Sequence, residues 1–292
     1  MNDGRWVWVG GERSPTAPGT ARIPATEHAY LYGSGLYETL RTYRTRPFAL
    51  EEHLERLAEG VAALEWGQAP LGEMANAMRA LAERRAPEES YLRLAVGPGL
   101  QFPGWNEPLE GPVRWCAYAG PLPPYSAAVH ENGVPCVLAS RPRWNPGGFI
   151  PAAKFAGNPD LWLAKREATA VGAYEALLLN PEGQLAEGSS SNVFLVRDGR
   201  IVTPSLASGI LDGVTRCVVL ALAPKAGLEA EERPVAPGEL FEAREVFLTS
   251  TLKEVVPVVS VDGRPVGGGA PGVIAGRMLG LLREYALERT KK

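Results

Sequence analysis

Hydrophobic spacing changes several times along this chain, and the order of those changes limits its possible folds more than any other feature. The stretches "RWVWVGGE" and "GLYETLRTYRTRPFAL" have the two-residue period of strands, and the second predicts a strand pair that turns near Thr45 and Arg46. The period then lengthens to that of one helix face, through Leu50, Leu54, Leu57, Val61 and Leu64. A second helix is predicted from Leu71 to Arg84.

Strands and helices continue to alternate in the second half of the chain. The pattern predicts strands over residues 134–139 and 176–179 and helices over residues 161–171 and 272–288, with hairpins among them. Because hairpins are frequent, this mixture favours an α+β fold in two domains over a doubly wound parallel sheet.

A proline-rich stretch, "GPLPPYS", marks the predicted boundary between the two domains. We predict a small α+β domain over residues 1–120, an interdomain linker over residues 121–126, and a large α+β domain over residues 127–292. The large domain is predicted to carry Lys154.

Charge and cysteine content narrow the class of partner. The 292 residues include 30 Lys and Arg against 33 Asp and Glu, a formal charge of −3, so no basic surface is expected for nucleic acid or an anionic membrane. Three separated cysteines and three unrelated histidines show no metal-ligand spacing, and no disulfide framework is expected. No apolar stretch is long enough to predict a signal peptide at the N-terminus or a membrane span elsewhere. These features predict a cytoplasmic protein with a small-molecule partner.

One lysine is set in a segment that otherwise suits close packing. Lys154 lies in "IPAAKFAGNPDLW", among small residues and between two prolines. Burial would lower the pKa of such an amine, and a neutral amine can attack a carbonyl to form an imine. The more common alternative for a lysine is that it extends to solvent or pairs with a carboxylate. Lys154 alone therefore leaves both interpretations open.

Two later segments contain residues suited to a ligand that combines a flat polar ring with an anionic group. In "QLAEGSSSNVFLV", Glu187 stands beside small hydroxyl residues, which suits a flat polar ring lying close to the backbone, although a loop carboxylate is equally possible. In "ILDGVTRCVVLALA", the amides of Val214 and Thr215 fall in the first turn of a predicted helix, a position that suits an anion. Thr215 is interpreted either as an anion ligand or as a plain helix cap. Thr251, in "FLTSTLKE", offers another hydroxyl.

Arg56, in "EEHLERL", is placed by the helical pattern opposite the apolar face of its helix. It is interpreted either as a solvated arginine among neighbouring glutamates or as a phosphate ligand.

Together these segments resemble the class IV aminotransferases, the pyridoxal-phosphate enzymes of fold type IV. The similar stretches are "YGSGLYETLRTY", "FALEEHLERL", "AKFAGN", "EALLLNPEGQLAEGSSSNVFLV", "ILDGVTR" and "EVFLTSTLKEVVPV", in the family's order and over most of residues 28–260. The resemblance implies a two-domain α+β fold like that of D-amino-acid aminotransferases. It also implies pyridoxal 5'-phosphate as cofactor and a homodimer with the active site at the interface.

The resemblance assigns roles to individual residues. Lys154 corresponds to the lysine that forms the Schiff base, and it is the expected catalytic residue. Glu187 corresponds to the partner of the pyridine nitrogen. The phosphate is expected at Arg56, Val214, Thr215 and Thr251.

Substrate residues are expected on two strands. Tyr37 and Arg41 in "GLYETLR", and Tyr91 and Arg93 in "SYLRLAVG", each share a strand face, and either arginine could instead be a surface residue. The family's branched-chain enzymes carry a tyrosine where this chain has Pro159, and a glycine where it has Thr39. The loop "VGPGLQFPGWNEP" also lacks a plain second carboxylate-binding motif of the D-amino-acid type.

The expected function is transfer of an amino group between a small amino acid and a 2-keto acid, with branched-chain and D-amino acids both open. One alternative is 4-amino-4-deoxychorismate lyase, which would release pyruvate and 4-aminobenzoate. The other is a protein that binds pyridoxal phosphate without turnover. The intact Lys154 and Glu187 argue against this last alternative.

Overall fold

The computed structural model describes residues 4–99, 112–125, 127–143 and 150–291. Contacts between Cα atoms divide the chain into two compact units. The first comprises Met1–Pro123, Ala152–Gly157 and Ala286–Lys292, and the second comprises Pro124–Pro151 and Asn158–Tyr285. The change from one unit to the other after Pro123 falls within the linker predicted over residues 121–126.

The segment with Lys154 groups with the first unit, whereas the sequence pattern places it in the large domain. Backbone hydrogen bonds explain the difference. The amide of Tyr37 donates to the carbonyl of Lys154 at 2.9 Å, and the amide of Ala156 donates to the carbonyl of Gly35 at 2.7 Å. Such tertiary pairing leaves no mark on the local hydrophobic period.

The first unit is built around a five-stranded antiparallel sheet with strand order β1-β5-β4-β2-β3. Its elements are β1 (Trp6–Val9), α1 (His28–Tyr32), β2 (Leu36–Tyr43), β3 (Arg46–Pro47), α2 (Leu50–Ala63), α3 (Leu71–Arg84), β4 (Ser90–Gly97) and β5 (Arg114–Pro121). Between β2 and β3, Arg44 and Thr45 have φ values of 50° and 65°, as in the two-residue turns that favour hairpins. The turn lies where the sequence predicts it.

The second unit is built around a nine-stranded mixed sheet with path order β11-β10-β9-β12-β13-β6-β7-β8, and β14 pairs with β13. Its elements are α4 (Ala128–Glu131), β6 (Val134–Leu138), α5 (Pro159–Ala170), β7 (Glu175–Leu179), β8 (Leu185–Gly188), β9 (Asn192–Arg197), β10 (Arg200–Pro204), α6 (Val214–Leu222), β11 (Glu229–Arg233), α7 (Glu239–Glu242), β12 (Glu245–Ser250), β13 (Glu254–Val261), β14 (Arg264–Pro265) and α8 (Val273–Arg289). Short 3-10 helices occupy Pro18–Thr20, Leu206–Ser208 and Ala223–Ala226.

A crossover connection joins β6 to β7, because these neighbouring strands run parallel. Helix α5 occupies part of this connection and packs Ala164 and Ala168 against Ala176 and Leu178 of β7. Pro159 stands at the first position of the helix, where its fixed φ is compatible with helix formation. The connection also contains residues 152–157, which group with the first unit and include Lys154.

Within the described ranges, no helix is long and apolar enough to cross a lipid bilayer.

Candidate active site

Lys154 lies beside the aromatic ring of Tyr37 in the first unit. Its Nζ is 5.0 Å from the centre of that ring, and the guanidinium carbon of Arg93 is 3.8 Å from the same centre. Lys154 is partly exposed rather than buried. Two cations therefore contact one electron-rich ring, an arrangement that orients Tyr37 and leaves the lysine amine accessible.

The four predicted substrate residues share one face of the five-stranded sheet. In the register of β2 and β4, Arg41 pairs with Tyr91 and Thr39 pairs with Arg93. Since side chains alternate along a strand, Tyr37 lies on the same face as Arg41 and Thr39. This face is partly buried, whereas Leu36, Leu40, Leu92 and Leu94 on the other face are in the core. Thr39 thus places a branched side chain among the predicted substrate residues.

Arg56 is buried, which is a correction to its predicted position opposite the apolar face of α2. Only 8% of it is exposed, and its Nε and Nη2 donate to the two carboxylate oxygens of Glu38 at 2.9 and 2.6 Å. The Nδ1 of His53 lies 2.6 Å from the same carboxylate. Glu38 reaches this position because it points to the core face of β2, opposite Tyr37. Its carboxylate orients the guanidinium of Arg56.

Glu38 is fully ionised at neutral pH in spite of its burial. Burial raises its pKa, but Arg56 and His53 outweigh this effect and hold the pKa of Glu38 at about 2. For His53, burial is the largest influence and lowers the pKa, with Arg56 and Lys154 acting in the same direction and Glu38 opposing them. The positive charge of Lys154 therefore contributes to the low pKa of His53 in this cluster.

Replacing Glu38 by glutamine should destabilise the fold by about 3 kcal/mol at pH 7, since a buried arginine loses its counter-charge. The carboxylate contributes its full stability above its ordinary pKa of 4.5, and this contribution is lost as the pH falls toward the folded-state pKa of about 2. The difference between wild type and Glu38→Gln should therefore shrink from pH 5 to pH 2. Urea unfolding at several pH values measures it.

Glu51→Gln is the matched control for this prediction. Glu51 also lies on α2 and also pairs with an arginine, Arg79 at 2.7 Å, but both side chains are more than half exposed. Exposed pairs contribute little, so this variant should change stability by less than about 1 kcal/mol. Equal losses in the two variants would contradict the assigned role of burial.

Glu187 lies at the end of β8 in the second unit, and both of its carboxylate oxygens accept hydrogen bonds. Nε of Arg143 donates to Oε1 at 3.0 Å, and the amide of Leu211 donates to Oε2 at 3.1 Å. Only 6% of the Glu187 side chain is exposed. Arg143 also pairs with Asp160, at 2.5 Å. These contacts fix a charged carboxylate in a buried setting.

Helix α6 begins three residues after Leu211, at Val214. The amide of Cys217 donates the first backbone hydrogen bond of this helix, to the carbonyl of Gly213. The amides of Val214 and Thr215 come earlier in the first turn, where a helix provides no carbonyl partner of its own. Thr215 is buried at this end of the helix. The predicted helix start is confirmed, and its amides and hydroxyl are suited to an anion.

A hydrogen bond from Asn192 holds the chain just before α6. Its Nδ2 donates to the carbonyl of Leu211 at 3.0 Å, and a Cβ added to Gly213 would lie 2.0 Å from its Oδ1. A glycine is therefore needed at position 213 because of close packing, since its φ of −73° suits any residue.

A buried ion-pair cluster supports the serines that follow Glu187. Glu175 is fully buried and accepts hydrogen bonds from the hydroxyls of Ser189 and Ser190 and from Nζ of Lys253. Burial raises the pKa of Glu175, but Lys253, Lys165 and the two serines bring it below its ordinary value. Since Thr251 stands two residues before Lys253, the same cluster ties its turn to the serine segment.

Sequence reasoning missed Arg143, Asp160, Glu38 and the Leu211 amide. Each contacts its partner across the fold, and only the alternation of Glu38 with Tyr37 on β2 could have indicated a core-facing acid. The structure brings Tyr37, Arg41, Tyr91 and Arg93 onto one sheet face, and it brings Val214 and Thr215 together at the start of α6. Residues 100–108 of the loop quoted for its missing motif lie outside the described residues.

The donor set of the described residues fits pyridoxal 5'-phosphate. In the second unit, Glu187 offers a fixed carboxylate suited to a pyridinium nitrogen, and the start of α6 offers amides suited to a phosphate. In the first unit, Lys154 offers a primary amine. In the described part of the chain, no group of three or more His, Cys, Asp or Glu side chains could hold a metal ion.

Comparisons with known proteins agree with this donor set. The family model for amino-transferase class IV matches residues 35–261. The chain is 33% identical to a D-alanine aminotransferase of Bacillus licheniformis, over 92% of this chain and 94% of that protein. It is 31% identical to a branched-chain-amino-acid aminotransferase of Pseudomonas aeruginosa, over 93% of this chain and 90% of that protein.

A solved structure has the same fold. It is the T.th. branched-chain amino acid aminotransferase with pyridoxamine 5'-phosphate, at a TM-score of 0.88 and 32% identity, covering 97% of this chain and 94% of that one. The chain belongs to the class IV aminotransferase family. The expected family and the expected α+β fold class are confirmed.

Proposed function

We propose that this chain is a pyridoxal-phosphate-dependent aminotransferase that moves an amino group between a small amino acid and a 2-keto acid. Membership of the class IV family confirms the aminotransferase class and the expected cofactor. The observation that carries the proposal further is the buried Glu187, fixed by Arg143 and by the Leu211 amide just before the start of α6.

In this proposal, Lys154 holds the cofactor covalently through Nζ, and Glu187 accepts a hydrogen bond from its ring nitrogen. Val214, Thr215, Thr251 and Arg56 hold its phosphate. When bound, the cofactor supplies an electron-accepting ring for the bonds at the substrate's α-carbon. Released Nζ of Lys154 takes the α-proton and later returns it, and the tyrosine and arginine side chains of β2 and β4 orient the substrate.

The substrate is proposed to be a branched-chain or a D-amino acid, the two types named among the relatives. Arg41 and Arg93 lie on the same sheet face as Tyr37 and Tyr91, and a guanidinium can bind a carboxylate through two parallel hydrogen bonds. Pro159 and Thr39 depart from the branched-chain pattern and keep the D-amino-acid type open. Keto-acid formation from a panel of L- and D-amino acids separates the two types.

A lyase that releases pyruvate from aminodeoxychorismate is the second candidate, because "GLYETLR" suits it as well. Pyruvate release without any keto acid from the amino-acid panel would favour the lyase. Neither product, in a protein that carries the cofactor, would favour binding without turnover.

We expect Gly213→Ala to weaken pyridoxal-phosphate binding by about tenfold, or about 1.4 kcal/mol. The added Cβ collides with Asn192, whose side chain is held by Leu211, so the chain before α6 must shift. Titration of the apoprotein with pyridoxal phosphate measures the change. Gly276→Ala is the control, because a Cβ there meets open space on α8 and should leave affinity unchanged.

We also propose a homodimer in the cytoplasm. The family resemblance supports the dimer, and three separated cysteines without a disulfide framework suit a reducing compartment. Light scattering of the purified protein tests the dimer. A mass of one chain, 31.3 kDa, at micromolar concentration would contradict it.

A further inference from the structure

We propose that Asp160 is a positioning residue that shares Arg143 with Glu187 and thereby keeps a net negative charge available to the ring nitrogen of the cofactor. The proposal rests on the proposed function, since it requires Glu187 to be the partner of that nitrogen.

Arg143 lies between two carboxylates. Its Nε donates to Glu187 at 3.0 Å and its Nη1 donates to Asp160 at 2.5 Å. The three side chains are 7%, 6% and 10% exposed, in the order Arg143, Glu187 and Asp160. Bulk water therefore screens this cluster poorly.

The arginine stays charged in this setting. Burial lowers its pKa, but Glu187 and Asp160 outweigh that effect, so the pKa of Arg143 lies above its ordinary value. Its backbone is also fixed, because the amide of Arg143 donates to the carbonyl of Leu179 at 2.6 Å. The guanidinium is a permanent cation at a fixed place.

Asp160 owes its position to the start of α5. It follows Pro159, the first residue of the helix, and an acidic side chain is favourable in a first turn. The start of α5 thus places its carboxylate within hydrogen-bond distance of Arg143.

The charges of the three groups decide what Glu187 can do. Arg143 alone would cancel Glu187 and repel a second positive charge, so a pyridinium would tend to lose its proton. With Asp160 included, the cluster carries one net negative charge, which stabilises a pyridinium. A unit charge several ångströms away at an effective dielectric constant of about 20 changes such a proton affinity by about ten- to fiftyfold.

Nuclear magnetic resonance of the holoenzyme, loaded with pyridoxal phosphate that is ¹⁵N-labelled in the ring, reports this proton directly. Wild type should show the shift of a protonated ring nitrogen at pH 8. In Asp160→Asn, the ring-nitrogen pKa should fall by about one unit or more, and the shift should move toward the unprotonated value. Asp160→Ser also removes the charge, and it replaces Asp160→Asn in this measurement if the asparagine variant folds poorly.

Two controls separate charge from support of the helix. Glu167 lies on the same helix and accepts hydrogen bonds from the amide and hydroxyl of Ser140, three residues before Arg143. Glu167→Gln should leave the nitrogen shift unchanged, and Asp160→Glu should retain the protonated value.

An unchanged shift in both neutral variants would overturn the role of Asp160 and leave the proposed function intact. An equal change in Glu167→Gln would also overturn it, since the effect would then come from the helix position. Absence of the cofactor from Lys154 in wild type, found by borohydride reduction and peptide mapping, would reject the proposed function itself.

Discussion

Lys154→Ala is expected to reduce transamination by about a thousandfold or more and to abolish covalent attachment of the cofactor. The alanine removes both the amine that holds the cofactor and the base that moves the α-proton, and each of these roles is worth orders of magnitude in rate. The fold should persist, because the side chain is partly exposed against the Tyr37 ring, while the backbone of residue 154 keeps its hydrogen bond to Tyr37. Loss of the imine absorbance with an unchanged far-ultraviolet circular dichroism spectrum is the measurement.

Two further variants make this test specific. Lys154→Arg keeps a cation beside Tyr37 but cannot form the covalent bond, so it should be as inactive as the alanine variant. Lys225→Ala removes an exposed lysine and should behave as wild type. Near-normal turnover in Lys154→Ala would reject the assignment of the catalytic amine.

Glu187→Gln should lower the rate of transamination by about a hundredfold or more while pyridoxal phosphate remains bound. Glutamine can still accept a hydrogen bond from Leu211, but it cannot compensate the charge of a pyridinium, and the electron-accepting capacity of the ring then falls. The neutral side chain also removes one of the two carboxylates that pair with Arg143. Single-turnover rates with a preferred amino acid, measured alongside cofactor affinity, separate the loss of rate from a loss of binding.

Glu182→Gln provides the control for Glu187, because it removes an exposed carboxylate from the turn between β7 and β8. It should leave the rate unchanged. If Glu187→Gln retained the wild-type rate, the carboxylate would not be the partner of the ring nitrogen.

Local patterns were sufficient to predict several parts of the molecule. The second predicted helix has the bounds Leu71–Arg84 in the structure, since its apolar period is unbroken and a proline precedes it. Alternation along two strands placed Tyr37 with Arg41 and Tyr91 with Arg93, and the sheet register brings both pairs to one face.

Other parts depend on contacts that sequence periodicity does not encode. Arg143 meets Asp160 and Glu187 across 17 and 44 positions, so the meeting is set by the path of the crossover connection. Arg56 was misplaced because the period identifies the apolar stripe of a helix but not a buried acid on a neighbouring strand. Glu38 provides that acid, and the pair makes burial of the arginine possible.

The first unit is assembled from three separate stretches of chain, and this has a consequence for biosynthesis. Its five-stranded sheet is encoded before residue 122, yet the unit also includes Ala152–Gly157 and Ala286–Lys292. A ribosome delivers these stretches in order, and domains emerging first usually fold first. We therefore expect the first unit to lack its last stretch until nearly the whole of the second unit has been translated, and nascent chains stalled before residue 286 should be the ones that chaperones retain.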